Sequence, residues 1–256
     1  MQHHETIESP IARPTRQIYS DYTEHDFLVW KTLFERQMNI LRPNVSEAYL
    51  EAIRNVQFSS DRIPDFAELE QILKPQTGWK LTVVPNISPA PEFFSFLSKK
   101  QFTATCWLRN MDQLDYLEEP DMFHDVFGHA PLLSNQAYVD FFKGMSDIAL
   151  RHLHEPEKIE LLGRLYWFTI EFGMIREQGK LKIYGAGIIS SMGETLHCLS
   201  EKTEHLPFDV QVLMNTPYRT DILQEKYFVI DSFEQLYHSL PEIEQLIENY
   251  SEDKSN

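Results

Sequence analysis

The chain has 256 residues, of which 42% are apolar, 12% aromatic and 24% charged. That is ample core-forming material, which excludes a disordered chain, and the length fits one large domain. A net charge of −16 weighs against nucleic acid and anionic membrane surfaces as partners, and no apolar run approaches the ~20 residues that span a bilayer.

Residues 1–18 read as a mobile N-terminal arm, 19–250 as the folded domain and 251–256 as a disordered tail. A first helix is predicted from Thr23, where Thr23-x-x-Asp26 is a capping pair, through Phe27, Trp30, Phe34, Met38 and Leu41 to Pro43. A second follows Ser46 with Leu50 and Ile53 inward. A third follows Pro64 with Phe66, Leu69, Ile72 and Leu73 inward and Pro75 as terminator. Trp79–Val83 alternates as a strand. Asn86–Glu92 is loop, and Phe93, Phe94, Phe96 and Leu97 open another helix. Phe102–Arg109 is strand-like. A long helix capped by Ser134 runs through Tyr138, Phe142 and Ile148, and another spans 155–174. Lys182–Tyr184 is a short strand, Ser190 or Ser191 starts a helix, Tyr227–Ile230 is the last strand, and a C-terminal helix carries Phe233, Leu236 and Ile243. The fold class is mainly α with a few short β strands. Cys106 and Cys198 are too few for a disulfide framework and read as buried thiols. The start MQHHETIESP lacks a basic segment followed by an apolar one, so no signal peptide is expected and the predicted compartment is the cytoplasm.

The most informative stretch is Glu119-Pro120-Asp121-Met122-Phe123-His124-Asp125-Val126-Phe127-Gly128-His129-Ala130-Pro131. On a regular α-helix, residues five apart are rotated by about 140° and do not share a face. The two histidines converge if the helix ends between them, and Gly128 and Pro131 are residues that end helices. Asp121 and Asp125 stand where carboxylates would orient the two rings. The alternative is a helix end with solvated polar groups. A third ligand has to come from elsewhere, because the His-Glu-x-x-His pattern of zinc proteases is absent. Glu171 is the candidate: it lies in the apolar stretch 166–173, where an acid is costly unless paired or on a metal. Pairing with Arg164 or Arg176 is the other explanation. Two histidines and one carboxylate on a triangular face suit non-haem Fe(II).

Three separated segments, Tyr116–Pro131, Tyr166–Gly173 and Tyr184-Gly185-Ala186-Gly187-Ile188-Ile189-Ser190-Ser191-Met192-Gly193-Glu194, together resemble the catalytic domain of the pterin-dependent aromatic amino acid hydroxylases, over about residues 19–236. The resemblance implies that family's single-domain catalytic fold, Fe(II) on His124, His129 and Glu171, and a tetrahydropterin, tetrahydrobiopterin or a bacterial analogue, as electron donor. It implies that O₂ is split, one atom going to the pterin and the other to the ring of an amino acid, with phenylalanine giving tyrosine.

The resemblance also implies substrate contacts. Arg109 would grip the carboxylate in a two-pronged bond, Trp167 would stack near the ring, Pro120 and Phe172 would line the pocket, and Ser190 would bond near the substrate and an iron-bound histidine. On the pterin side it implies Phe93 as the stacking ring, the loop with Ile87, Ser88 and Ala90 along the cofactor edge, and Asp125. Asn86-Ile87 replaces the usual Gly-Leu there, and Lys100-Gln101-Phe102 replaces Arg-x-Phe, which bears on pterin geometry rather than on iron. Nothing before Tyr19 matches the regulatory domain of animal members, and no heptad seam follows Leu236, so a monomer is expected. Tryptophan or tyrosine is the alternative substrate, with Tyr218–Asp221 where the family tunes ring preference. A zinc metallohydrolase and a non-catalytic binding protein on the same scaffold are the rival classes.

Overall fold

The structure, a computed structural model, describes residues 13–115, 117 and 119–250. The tail 251–256, the first twelve residues of the predicted arm, and Tyr116 and Glu118 lie outside the described residues.

The first apolar stripe forms helix α1 (Glu24–Leu41), closed at its start by the Thr23–Asp26 capping box. Ser46 caps α2 (Glu47–Asn55), which buries Tyr49, Ala52 and Ile53. Asp65 caps α3 (Phe66–Gln76). Pro75 sits inside its last turn rather than ending it, and Gly78, at φ 82°, makes the turn away. Strand β1 (Lys80–Val83) follows, then α4 (Ala90–Ser98), with Pro91 in the first turn where its missing N–H costs nothing. Strand β2 (Gln101–Ala104) pairs in parallel with β1, Lys80 opposite Gln101.

The strand predicted to reach Arg109 stops at Ala104 because Thr105 turns its backbone N–H and its hydroxyl to the buried carboxylate of Asp125, at 2.7 and 2.9 Å. Further on, Asn135 rather than Ser134 caps α5 (Gln136–Arg151); Ser134 ends a short 3₁₀ turn and bonds back to the Pro131 carbonyl. The helix predicted over 155–174 divides. Its α-helical part, α6 (Pro156–Tyr166), widens into a π-turn at Trp167–Glu171, and strand β3 (Met174–Glu177) begins three residues later.

Strand β4 (Lys180–Ile183), short helices α7 (Ala186–Ser190) and α8 (Met192–His197), strand β5 (Glu204–Pro207), helix α9 (Val210–Asn215) and strand β6 (Lys226–Ile230) complete the middle of the fold. The second sheet has the order β4-β3-β6-β5, with β3 and β4 antiparallel and the other pairs parallel. The predicted C-terminal helix is two, α10 (Phe233–His238) and α11 (Leu240–Asn249). The architecture is mainly helical with few strands, as the sequence implied. No described helix is long and apolar enough to cross a membrane.

Part of the core is aromatic. Trp30 of α1 packs edge-on against Phe123 and Phe127, which stack on each other at 4.5 Å and 11°. Tyr49 caps this cluster and donates its hydroxyl to the Phe127 carbonyl at 2.6 Å. The histidine segment is thus anchored by its own apolar side. Of the predicted arm, Arg13 lies 3.6 Å above the Trp107 ring, and Gln17 bonds to Pro64 O and Phe66 N.

Two glycines show opposite constraints. A Cβ on Gly185 would come within 2.4 Å of the Glu171 carbonyl and 2.5 Å of the Gly173 nitrogen, both backbone atoms that cannot yield, whereas one on Gly163 in α6 would meet nothing within 4 Å. Gly185→Ala is therefore expected to lose about 1–3 kcal/mol or more of unfolding free energy through overpacking. Gly163→Ala is expected to gain about 0.5–1 kcal/mol through helix propensity. Denaturant unfolding of the two variants measures both.

Candidate metal centre and its surroundings

The histidine segment solves the five-residue spacing differently from the predicted helix end. Phe123–His129 is a π-helix, and the chain continues through Ala130 without a break at Gly128. A π-helix closes its turns between residues five apart, so His124 and His129 are brought to one side. Their rings lie 5.1 Å apart at 81°. Gly128 serves another purpose: a Cβ there would press on the Ala186 carbonyl at 3.0 Å, so its absence lets α7 lie against the π-helix.

Glu171 arrives from the second π-turn, where Phe172 N–H donates to Trp167 O at 2.8 Å, again five residues apart. Glu171 Oε1 lies 3.1 Å from His129 Nε2, and its Oε2 lies 3.6 Å from His124 Nε2. One ligand atom from each of the three residues lies within 4.8 Å of the others. Arg164 and Arg176, the alternative partners of this acid, are engaged or turned elsewhere: Arg164 bonds Glu160 and Met214 O, and Arg176 is exposed on β3. Burial works against the charge on Glu171, but the facing His129 and His124 rings and the Tyr166 hydroxyl hold its carboxyl down at about 2.

The donor set fits a divalent cation. Ligand bonds of about 2 Å at right angles place adjacent donor atoms about 3 Å apart, close to the 3.1 and 3.6 Å between Glu171 and the two histidines. The tautomer of His124 also fits. Ser190 Oγ donates its hydrogen to the Ala186 carbonyl at 2.8 Å and lies 2.8 Å from His124 Nδ1. With that proton committed, Ser190 accepts from Nδ1–H, and Nε2 presents its lone pair to the centre. His129 Nδ1 is buried with no partner among the described residues. That ring is held by packing, against Phe102 at 4.8 Å and Tyr166 at 6.5 Å.

The two aspartates do not orient the imidazoles as the sequence reading expected. Asp121 is fully buried and binds Arg109 in two prongs, Nε to Oδ2 at 2.9 Å and Nη2 to Oδ1 at 2.7 Å. It also accepts from the backbone N–H of Arg109 and of His124, at 3.0 and 3.2 Å. A carboxylate with no access to water is more strongly drawn to a guanidinium fork than to a neutral ring. Asp125 is taken by Thr105, and burial raises its carboxyl against the opposing pull of His124 and the Thr105 bonds.

The remaining sequence candidates fall as follows. Ser190 ends α7, and Ser191 is the residue that caps α8, accepting from Glu194 N at 3.3 Å. Trp167 has Tyr218 stacked on it at 4.5 Å and 19°, Phe172 tilted against it at 4.5 Å, and its indole N–H on Gln224 Oε1 at 3.0 Å. Pro120 is half-buried directly before Asp121. Phe93 meets Tyr166 edge-on at 5.4 Å, and Tyr166 in turn faces His129. Ile87 and Ser88 lie in the loop before α4, Ile87 being 70% exposed and Ser88 half-buried, and Ala90 is the exposed first residue of that helix. Trp107 donates to Pro85 O at the start of this loop. Sequence reasoning assigned no role to Thr105, Tyr166 or Gln224, whereas Tyr218 opens the segment expected to tune ring preference. Only Gln224 carried a signal, as a polar residue just ahead of the apolar strand β6.

Comparison with known proteins agrees with this geometry. Residues 12–252 match the family described as biopterin-dependent aromatic amino acid hydroxylase. The chain is 42% identical over 215 residues to phenylalanine-4-hydroxylase of Chromobacterium violaceum, covering 83% of this chain and 71% of that one. It is 39% identical to the enzyme of the same name from Pseudomonas aeruginosa, covering 88% and 85% of the two chains. The crystal structure of the C. violaceum protein with bound iron(III) and 7,8-dihydrobiopterin superposes with a TM-score of 0.85 at 38% identity, over 94% of this chain and 91% of that one.

One consequence concerns Ser190. Removing a group that fixes the tautomer of a ligating histidine weakens metal binding by about 10–100-fold. Ser190→Ala is expected to show that loss in a Co(II) titration followed by its visible absorption, while unfolding stability changes by about 1 kcal/mol or less.

Proposed function

Because the chain belongs to the biopterin-dependent aromatic amino acid hydroxylase family, we propose that it is a phenylalanine 4-monooxygenase. It adds one atom of O₂ to the ring of L-phenylalanine, giving L-tyrosine, while a tetrahydropterin takes the other. The observation that carries this reading is the convergence of His124, His129 and Glu171, with Arg109 tied to the same segment through Asp121.

His124 and His129 through Nε2, and Glu171 through its carboxylate, would hold Fe(II). Bound iron and tetrahydropterin together supply the activation of O₂. The chain does the rest by positioning. Ser190 keeps Nε2 of His124 unprotonated toward the centre. Arg109 receives the substrate carboxylate on the guanidinium edge that Asp121 leaves free, since Asp121 occupies only the Nε–Nη2 edge. Trp167, Phe172 and Pro120 form the wall beside the ring. Phe93 supplies the stacking face for the pterin, and Ile87, Ser88 and Ala90 its backbone-lined edge. Asp125, kept in place by Thr105, faces the pterin side.

Two further readings belong to the same proposal. Both cysteines are buried and unpaired, and burial pushes Cys106 up to about 11 and Cys198 up to about 12, so neither is a thiolate at neutral pH. This supports a cytoplasmic protein. The apolar face of α11 is spent on its own chain, with Ile243 and Ile247 buried and Leu240 pressed against Gly144, which supports a monomer.

The direct test is incubation with Fe(II), tetrahydrobiopterin and O₂ in the presence of phenylalanine, tryptophan or tyrosine. Tyrosine formation from phenylalanine as the dominant reaction is expected, and its absence with all three amino acids refutes the proposal. Glu171→Gln is expected to abolish turnover with the unfolding transition retained. Arg109→Ala is a poor probe, because it strands Asp121 as an uncompensated buried charge, at a cost of about 3–5 kcal/mol. Arg109→Lys keeps the charge against Asp121 and loses the fork. It is expected to raise the phenylalanine KM by about tenfold or more without moving the tetrahydropterin KM.

A further inference from the structure

One side chain outside the proposed machinery is unusually committed. Gln224 is 5% exposed and lies in the irregular stretch between α9 and β6. Its Oε1 accepts the Trp167 indole N–H at 3.0 Å. Its Nε2 donates to two carbonyls of the same stretch, Arg219 O at 2.7 Å and Ile222 O at 3.0 Å. The amide has a single workable orientation: an indole N–H can only donate and a carbonyl can only accept, so oxygen must face the first and nitrogen the other two. The backbone of Gln224 is fixed in turn. Its N–H donates to Glu194 Oε1 at 2.9 Å, and Glu194 Oε2 accepts from the buried Tyr227 hydroxyl at 2.5 Å. A chain of bonds, buried at Tyr227 and Glu194 and part-buried at the indole, therefore runs from strand β6 and helix α8 through Gln224 to Trp167. Tyr218, from the same stretch, stacks on that indole.

We infer that Gln224 is a positioning residue for ring selectivity: it locks the tilt of Trp167 and the path of residues 218–223 as one unit, and so sets which aromatic side chain the pocket accepts. The inference rests on the reading of Trp167 as part of the substrate wall. An indole in a pocket has one polar atom and one preferred orientation when that atom is buried. Taking away its acceptor leaves the N–H unsatisfied, and the ring turns to find another partner. The wall then no longer discriminates by shape. No side-chain hydrogen bond among the described residues joins this chain to the iron ligands, Arg109 or the pterin loop, so the effect is expected on the substrate side.

The test uses the iron-loaded protein with tetrahydrobiopterin and compares kcat/KM for L-phenylalanine with that for L-tryptophan. Gln224→Met, equal in length and without polar atoms, is expected to lower this ratio by about tenfold, mainly through the phenylalanine KM, with kcat within about threefold and the tetrahydropterin KM within about twofold. Gln224→Asn, too short by one methylene to bridge the indole and both carbonyls, is expected to move the ratio in the same direction, and carries the test where Gln224→Met does not fold. In a Trp167→Phe background, where no indole N–H remains, Gln224→Met is expected to add less than about twofold. An unchanged ratio in the folded single variants overturns the inference. So does an equal effect in the Trp167→Phe background, which would assign Gln224 to the loop alone, and so does failure of both single variants to fold, which would assign it to the fold. Absence of hydroxylation by the unmodified protein with every amino acid refutes the proposed function instead, and is distinguishable because it needs no variant.

Discussion

Two wide turns of helix govern everything at the centre of this protein. One carries His124 and His129, the other carries Glu171, and both press against the short helix α7. The contacts at α7 are close because glycine occupies them: Gly128 faces Ala186, and Gly185 lies under the Glu171 carbonyl. A π-turn is a costly way to wind a backbone and persists where packing leaves no alternative. The histidine turn is packed between the aromatic cluster around Trp30 and α7, and the Glu171 turn lies against Gly185 and Gly187 at the start of α7. The three donor atoms are consequently arranged by the fold, before any ion is bound.

Four of the candidate site side chains are each held by a polar residue. His124 is held by Ser190, Arg109 by Asp121, Asp125 by Thr105 and Trp167 by Gln224. His129 differs: its second nitrogen has no partner among the described residues, and flanking rings hold it instead. Buried polar groups are expensive unless satisfied, so these pairings leave little freedom for rotation. They also connect distant elements. Asp121 joins Arg109 to the backbone of His124, so a shift of one is transmitted to the other.

The periodic helices were legible because their apolar stripes and caps are local signals; Thr23, Ser46 and the stripe through Trp30 all behave as read. The three ligand residues were legible as types, from two histidines among acids and one acid in an apolar helix. How they converge was not. An α-helical ruler cannot anticipate a π-turn, since its spacing is set by tertiary packing rather than by any residue in the segment. The partners of the aspartates were misassigned for a related reason. Asp121 and Asp125 are near the histidines in sequence, but a buried carboxylate goes to the strongest donor in space, which is Arg109 for one and Thr105 for the other. Ser191 rather than Ser190 caps α8, which frees Ser190 for the histidine. Gln224 became visible only when the stretch before β6 was seen folded over Trp167, where Tyr218 of the expected selectivity segment stacks.

All of this turns on His124, His129 and Glu171 binding one iron through two nitrogens and a carboxylate. Crystals of the Fe(II) protein, measured on both sides of the iron absorption edge, test it directly. One anomalous peak is expected, about 2 Å from Nε2 of His124, Nε2 of His129 and a carboxylate oxygen of Glu171. A peak elsewhere in the molecule, or one that omits any of these three residues, contradicts it.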